Sequence, residues 1–359
     1  MDNNSRKYMA LALKLAARGS GKVSPNPMVG AVIVRNRRII GQGWHKYFGG
    51  PHAEIEALKD AGRDAKGSEV YVNLEPCSHF GKTPPCTDAL INAGVRKVVC
   101  AMNDPNPVAK GGLKILKKAG IKTECGIMEN EARKLNEAFV KHVATGMPFV
   151  VIKMAMSLDG KIATGKGESR WISGASSRKA VGILRRQYDA VMVGIKTLLK
   201  DNSGLLSPGH KRHIRIVLDS KAMTPVTSKA VRTVKQERLI VVVTRLASRA
   251  RIERLRKAGV EMIVMPGRKI EMRKLMRKLG KIGISGILLE GGGEVNASAI
   301  KAGVVDRVCF FIAPKIIGGR NAKTPVEGAG VKKLSNALTI KDMHVRKTGQ
   351  DICVEGYLR

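Results

Sequence analysis

The 359-residue chain is 43% apolar and 26% charged, a composition that fits a soluble globular protein of two domains at roughly 150 residues each. No apolar run reaches the roughly 18 residues that a membrane-spanning helix needs, and residues 1–21 lack a continuous apolar stretch, so membrane-embedded, exported and disordered chains are not expected. Lys+Arg 65 against Asp+Glu 29 gives a net charge of +36, which reads either as attraction for anions or as a solvated basic surface, and an aromatic content of only 4% speaks against a stacking single-strand binder.

In chain order, residues 5–18 have helical spacing and stop at Gly19, 28–34 and 38–43 are β-rich runs around a polar turn, and 52–61 is a helix closed by Gly62. A strand at 69–74, a helix at 84–92, a strand at 96–101 and a helix at 113–119 continue an alternating α/β pattern. Gly146 and Pro148 punctuate a junction, so one domain is expected at 1–145 and a second at 149–359. The second predicts strands at 149–156, 190–193, 214–218, 239–243, 261–264, 286–289 and 308–312, with helices at 176–187, 249–257 and 272–279. Its part of the chain carries the larger share of the charge excess.

Cys77, Cys86, Cys100, Cys125, Cys309 and Cys353 are too few and too scattered for a disulfide scaffold, and a reducing cytoplasm is the natural compartment. Cys77 and Cys86 stand apart. His52-Ala53-Glu54 opens one helix, Pro76-Cys77 follows a strand, and Pro84-Pro85-Cys86 opens another helix. One imidazole and two thiolates make three zinc ligands with a fourth position left for water, the arrangement of a catalytic site. A helix N-terminus also favours the Cys86 thiolate. Glu54, two residues beyond His52, is placed to move protons rather than to bind the metal. His-x-Glu followed by Pro-Cys and a further Cys is the signature of zinc base deaminases, although eight residues separate these cysteines where two are usual.

That insertion, Ser78-His79-Phe80-Gly81-Lys82-Thr83-Pro84-Pro85, closely resembles the bifunctional riboflavin-biosynthesis deaminase/reductase family. So do Pro25-Asn26-Pro27-Met28-Val29-Gly30, Asp104-Pro105-Asn106-Pro107, Ser157-Leu158-Asp159-Gly160-Lys161, Ser169-Arg170-Trp171-Ile172, Glu290-Gly291-Gly292-Gly293 and the stretch from Ala313 to Gly319. The resemblance implies an α/β protein: an N-terminal cytidine-deaminase-like mixed sheet between helices, and a C-terminal domain like dihydrofolate reductase. It implies zinc-dependent hydrolytic deamination of 2,5-diamino-6-(5-phosphoribosylamino)pyrimidin-4-one. NADPH-dependent reduction of the ribosyl side chain would follow, giving 5-amino-6-(5-phosphoribitylamino)uracil. By the same resemblance Asn26, His45, His79 and Lys82 line the deaminase pocket, and homo-oligomers are common. The eight-residue spacing and the second α/β domain argue against a nucleic-acid base deaminase.

The second domain has no Gly-x-Gly-x-x-Gly after its first strand, so a Rossmann site is not supported. Glu290-Gly291-Gly292-Gly293 follows an apolar strand and precedes a helix, where glycines permit a phosphate to approach the backbone; a tight structural turn is the other reading. The resemblance assigns Ala155, Trp171, Thr197, Asp201 and Gly291 to Gly293 to NADPH, and Lys153, Ser169, Arg185, Leu205 and Glu290 to the substrate. Without it, Trp171 reads as core and Arg185 as the solvent face of its helix.

One departure bears on the reductase: Leu206 and Pro208 stand where the family has threonine and arginine. A lost charge-assisted contact costs about 1.5–3 kcal/mol, so reductase substrate binding is expected to be weakened or rerouted, through Lys211 or Arg212, or the reductase half to be impaired outright. Steady-state kinetics of Pro208→Arg are expected to show a lower KM than the wild type; an unchanged KM contradicts this.

Overall fold

A computed structural model describes residues 3–80, 84–207 and 213–358, in two units, Met1–Gly146 and Met147–Arg359. In the first, α1 (Asn3–Ala16) precedes the hairpin β1 (Gly30–Arg35) and β2 (Arg38–Trp44). Then come α2 (Ala53–Ala61), β3 (Glu69–Val72), α3 (Cys86–Asn92), β4 (Lys97–Cys100), α4 (Gly112–Lys118), β5 (Lys122–Cys125), α5 (Glu129–Leu135) and α6 (Glu137–Thr145). The sheet runs β2-β1-β3-β4-β5; β1 is antiparallel to both its neighbours, and β3, β4 and β5 are parallel.

Strand alternation sorts the side chains onto two cores. Ala31 and Ile33 of β1 face Ala53, Ala57, Leu90 and Leu116, whereas Val32 and Val34 face Tyr8, Met9, Ala12 and Ala132. Two glycines set how closely the site-bearing segments approach. A Cβ on Gly43 would lie 2.4 Å from the Ala53 carbonyl oxygen and the Ala57 nitrogen, and one on Gly112 would lie 1.9 Å from the Pro76 carbonyl oxygen. The first lets the start of α2 lie on β2; the second lets α4 press against the residue before Cys77.

The second unit begins with β6 (Phe149–Ser157), α7 (Ala175–Gln187), β7 (Ala190–Gly194), α8 (Ile195–Asp201), β8 (Ile214–Leu218), α9 (Lys229–Arg232) and β9 (Arg238–Thr244). It continues with α10 (Arg249–Lys257), β10 (Glu261–Met265), α11 (Met272–Lys281), β11 (Gly286–Leu289), α12 (Gly293–Lys301), β12 (Arg307–Ala313), β13 (Ile340–Thr348) and β14 (Asp351–Leu358). Strand order is β10-β9-β8-β7-β11-β6-β12-β14-β13, parallel from β10 to β12 and antiparallel thereafter. Both faces of the parallel part are covered: Ile152, Met192, Ile216 and Leu289 meet Leu275 and Leu279 of α11, while Val193, Val217 and Val241 meet Ile252 and Leu255 of α10.

The chain travels outward from β6 through β7 to β10 and returns to lay β11 between β6 and β7. Parallel sheets bind ligands beyond the carboxyl ends of strands flanking such a reversal. The hairpin β13–β14 carries no predicted strand: Lys341, Asp342, His344, Arg346 and Lys347 break the apolar pattern, because almost all of β13 is exposed. The elements β5, α5, α6, α8 and α9 were likewise not anticipated; each is seven residues or shorter except α6.

Gly43→Ala is expected to destabilise the first unit by about 1–3 kcal/mol, since backbone rather than a flexible side chain must yield. Denaturant unfolding measures this, and a wild-type midpoint would contradict the close helix–strand contact.

Candidate active sites

His52 is the residue just before α2, Cys77 follows β3 by a short turn, and Cys86 is the first residue of α3. His52 Nδ1 lies 3.2 Å from Cys86 Sγ and 3.5 Å from Cys77 Sγ, and the Cys86 backbone N–H donates to Cys77 Sγ at 3.4 Å. For metal–ligand distances of about 2.3 Å to sulfur and 2.05 Å to nitrogen, a tetrahedral centre sets the N···S edge near 3.5 Å. The three donors therefore fit zinc. The Cys77 thiol is drawn down to about 4, first by the hydrogen bond from Cys86 and, against the cost of burial, by His52. Cys86 is pushed up by Cys77 and by burial.

Glu54 is 4% exposed; burial and then the Cys77 charge raise its carboxyl to about 7. It shares a cavity of about 240 Å³ with Asn26, His45, His52, Cys77 and His79, while Cys86 sits behind the wall, fully buried. Burial lowers the His45 pKa against the opposing pull of the Pro51 carbonyl, with His52 adding to the lowering. Because that carbonyl only accepts, His45 Nδ1 donates to it at 2.9 Å, and Nε2 accepts from the Asn26 amide at 3.2 Å. The buried Nδ1 of His79 has no hydrogen-bond partner among the described residues. Lys82 lies outside the described residues.

Glu75 has no role in the motif, yet it organises the wall. Its carboxylate accepts from the backbone N–H groups of Asp104, Gly111 and Leu113, each at 3.1 Å, tying the residue two before Cys77 to the segment that brings Asp104 and Asn106 into the cavity. Burial raises the Asp104 carboxyl to about 6 against the backbone N–H of Asn106. The segment Asp104-Pro105-Asn106-Pro107 was legible as a motif, but Glu75 was not, since its partners are backbone groups remote in sequence.

The second cavity, about 690 Å³, opens at the carboxyl ends of β6, β7 and β11. It is lined by Lys153, Ala155, Ser169, Trp171, Arg185, Thr197, Asp201, Leu205, Glu290, Gly291, Gly292 and Gly293, the residues that the resemblance assigns to NADPH and to the substrate. Two alternative readings fall. Trp171 is 62% exposed and flanked by the guanidinium groups of Arg170 and Arg178, so it is not core. Arg185 turns inward instead of facing solvent: its Nε and Nη2 donate to the two carboxylate oxygens of Glu290 at 2.6 and 2.9 Å, leaving a phosphate to compete with a carboxylate already in place.

Lys153 stands 3.7 Å from the same carboxylate. Burial would raise the Glu290 pKa, but Arg185 and Lys153 outweigh it and hold the group at about 2. Gly291 to Gly293 join β11 to the N-terminus of α12, whose backbone donors, with Lys200, Arg170 and Arg178 in the lining, suit an anionic dinucleotide. Pro208, Lys211 and Arg212 lie outside the described residues.

Two further contacts organise this half. Asp159 accepts from Ser157 Oγ at 2.5 Å and from the backbone N–H groups of Ile317 and Gly318 at 3.0 and 2.7 Å, which joins two of the sequence motifs. Fully buried Arg215 donates to the carbonyls of Gly204, Ala230, Thr233 and Glu237, and Glu237 accepts from Ser207 N–H, so the strand holds the loop that carries Leu205.

Residues 148–354 match the RibD C-terminal domain family, and residues 2–102 match the cytidine and deoxycytidylate deaminase zinc-binding region. The riboflavin biosynthesis protein RibD of Actinobacillus pleuropneumoniae is 42% identical over 353 residues, covering 97% of this chain and 94% of its own. The chain belongs to the RibD family. The RibD of Escherichia coli (strain K12) is 41% identical, with 97% of each chain covered. A solved Acinetobacter baumannii RibD superposes with a TM-score of 0.90 at 36% identity, covering 99% of both chains. A Thermotoga maritima diaminohydroxyphosphoribosylaminopyrimidine deaminase/5-amino-6-(5-phosphoribosylamino)uracil reductase does so with 0.88 at 34% identity, again over 99% of both. The fold is thus that of RibD, a cytidine-deaminase-like unit followed by the RibD reductase domain. No helix among the described residues is long and apolar enough to cross a membrane.

Removing one partner of a buried ion pair costs about 3–5 kcal/mol, and Glu290→Gln is expected to destabilise the second unit on that scale. Because folding lowers the Glu290 pKa, the pair's contribution is full above the ordinary value of 4.5 and is lost as pH falls toward 2. The stability gap between wild type and Glu290→Gln, read from denaturant midpoints, should close over that window; a gap independent of pH contradicts the pairing.

Proposed function

We infer that this RibD protein performs both reactions on one phosphorylated pyrimidine: hydrolytic removal of the 2-amino group, then reduction of the ribosyl side chain. The observation that carries the reading is the meeting of His52, Cys77 and Cys86 around one point, with Glu54 in the same cavity.

In the first reaction the oxygen of water replaces the amino nitrogen, and ammonia leaves. His52, Cys77 and Cys86 would hold zinc, which would supply the Lewis acidity that makes water a nucleophile near neutral pH. Glu54 is placed in the same cavity to accept a proton from water and to deliver protons to a ring nitrogen and to the departing amine. Asn26, whose amide is fixed by His45, presents a donor–acceptor edge to the pyrimidine, and His79 lines the same cavity.

The second cavity would hold NADPH, which would supply the hydride. Ala155, Trp171, Thr197, Asp201 and the Gly291–Gly293 turn hold the cofactor. Lys153, Ser169, Arg185, Leu205 and Glu290 hold the substrate so that C1′ of the sugar meets it. Support for these roles is their shared lining of one cavity at the strand reversal.

A reducing cytoplasm suits the six free thiols, and the membrane has no part in the reaction.

Glu54→Gln is expected to lower ammonia release by about 10²–10⁴-fold while leaving NADPH oxidation on the deaminated intermediate intact. Parallel assays of ammonia and nicotinamide absorbance on zinc-loaded protein separate the two activities. Undiminished ammonia release would remove Glu54 from the mechanism, and absent NADPH oxidation in wild type would leave a deaminase alone.

A further inference from the structure

A second group of soft donors lies in the other unit, in the antiparallel part of the sheet. Cys309 of β12 stands opposite Glu355 of β14, and Cys353 stands opposite Phe311, one step along the same face. Cys309 Sγ is 3.7 Å from Cys353 Sγ, and the Glu355 Oε1 atom is 3.6 Å from Cys309 Sγ and 3.5 Å from Cys353 Sγ. Both sulfurs belong to buried residues, 1% and 0% exposed, and Glu355 is half-buried.

We propose that Cys309, Cys353 and Glu355 form a second zinc site, with three protein ligands and a fourth position for water. The donor triangle carries the inference. With metal–sulfur distances of about 2.3 Å and metal–oxygen distances of about 2.0–2.2 Å, a tetrahedral zinc sets an S···S edge near 3.8 Å and S···O edges near 3.5–3.6 Å. All three observed edges fall on those values, as closely as in the deaminase trio.

The charges also close. Two thiolates and a carboxylate bring −3, the ion +2, and Arg346, whose Nη2 donates to Glu355 Oε1 at 2.6 Å, supplies the remaining +1. The two thiolates favour a borderline-soft divalent ion over magnesium or calcium, and zinc also accepts a carboxylate oxygen. His344 on β13 stands opposite Glu355 in register and is exposed. The ion would pin β14 to β12, whose Cys309 is the register partner of Lys153 on β6, the strand that carries the reductase lysine.

The test is metal stoichiometry on the full chain purified under reducing conditions and equilibrated with zinc. Wild type is expected to hold two equivalents per chain, C309S/C353S one, and C77S/C86S one. Because the double serine variant removes two buried thiols, E355Q serves as the milder variant, expected to hold the second equivalent at least tenfold more weakly. Retained NADPH oxidation shows that the second unit of each variant is folded. Cobalt added to C77S/C86S should give thiolate-to-metal absorption that C309S/C353S/C77S/C86S lacks. One equivalent in wild type, a second equivalent that survives C309S/C353S, or a 309–353 disulfide under those reducing conditions would overturn the proposal.

Discussion

The deaminase half depends on holding three metal donors within bonding range of one point. Three unrelated segments supply them, and each is fixed by backbone rather than by its own side chain. The start of α2 is set by contact with Gly43, where no Cβ intervenes. The Pro76-Cys77 turn is pressed by Gly112 and bracketed by Glu75, whose carboxylate gathers three backbone N–H groups. Cys86 is steered by its own N–H, which donates to Cys77. The same packing leaves Glu54 buried in the cavity beside these donors, where its proton affinity is raised.

The reductase half solves a different problem, placing many weakly directional contacts around a large cavity. Its centre is a single buried carboxylate. Glu290 directly follows β11, the strand that returns between β6 and β7, and it gathers Arg185 from α7 and Lys153 from β6. The two cations hold the carboxylate charged despite burial, and the carboxylate in turn fixes the orientation of both cations at the cavity floor. The glycines that follow it are therefore positioned by the same residue that shapes the substrate end, so the cofactor-facing turn and the substrate-facing ion pair form one continuous piece of chain.

What was legible in the sequence was chemistry carried by short spacings. His52 with Glu54, Pro76 with Cys77 and the glycine run after Glu290 each declare themselves within a few residues, and the structure brings them to two cavities. The Arg185–Glu290 pair spans 105 residues, so an arginine on a helix offered no local sign of which way it would turn. Trp171 was ambiguous for the same reason: an aromatic residue reads as core unless its neighbours are known, and here they are two arginines. Glu75 and Arg215 escaped notice because they bond backbone groups, which every residue possesses and no motif records. Strand β13 was missed because an exposed edge has no buried face to impose alternation.

The same contrast explains the cysteines. Read along the chain, Cys309 and Cys353 are isolated buried thiols, 44 residues apart, with nothing beside them to suggest a common role. Antiparallel pairing of β12 with β14 removes that separation and adds Glu355 at the matching step. A register is a long-range constraint that converts unrelated positions into a donor set, just as helix starts and strand ends do around His52. In both units the spacing of donors matches the edges of a tetrahedron, and the difference lies in what borders them: a cavity with a proton-carrying carboxylate in the first, and sheet strands with a neutralising arginine in the second.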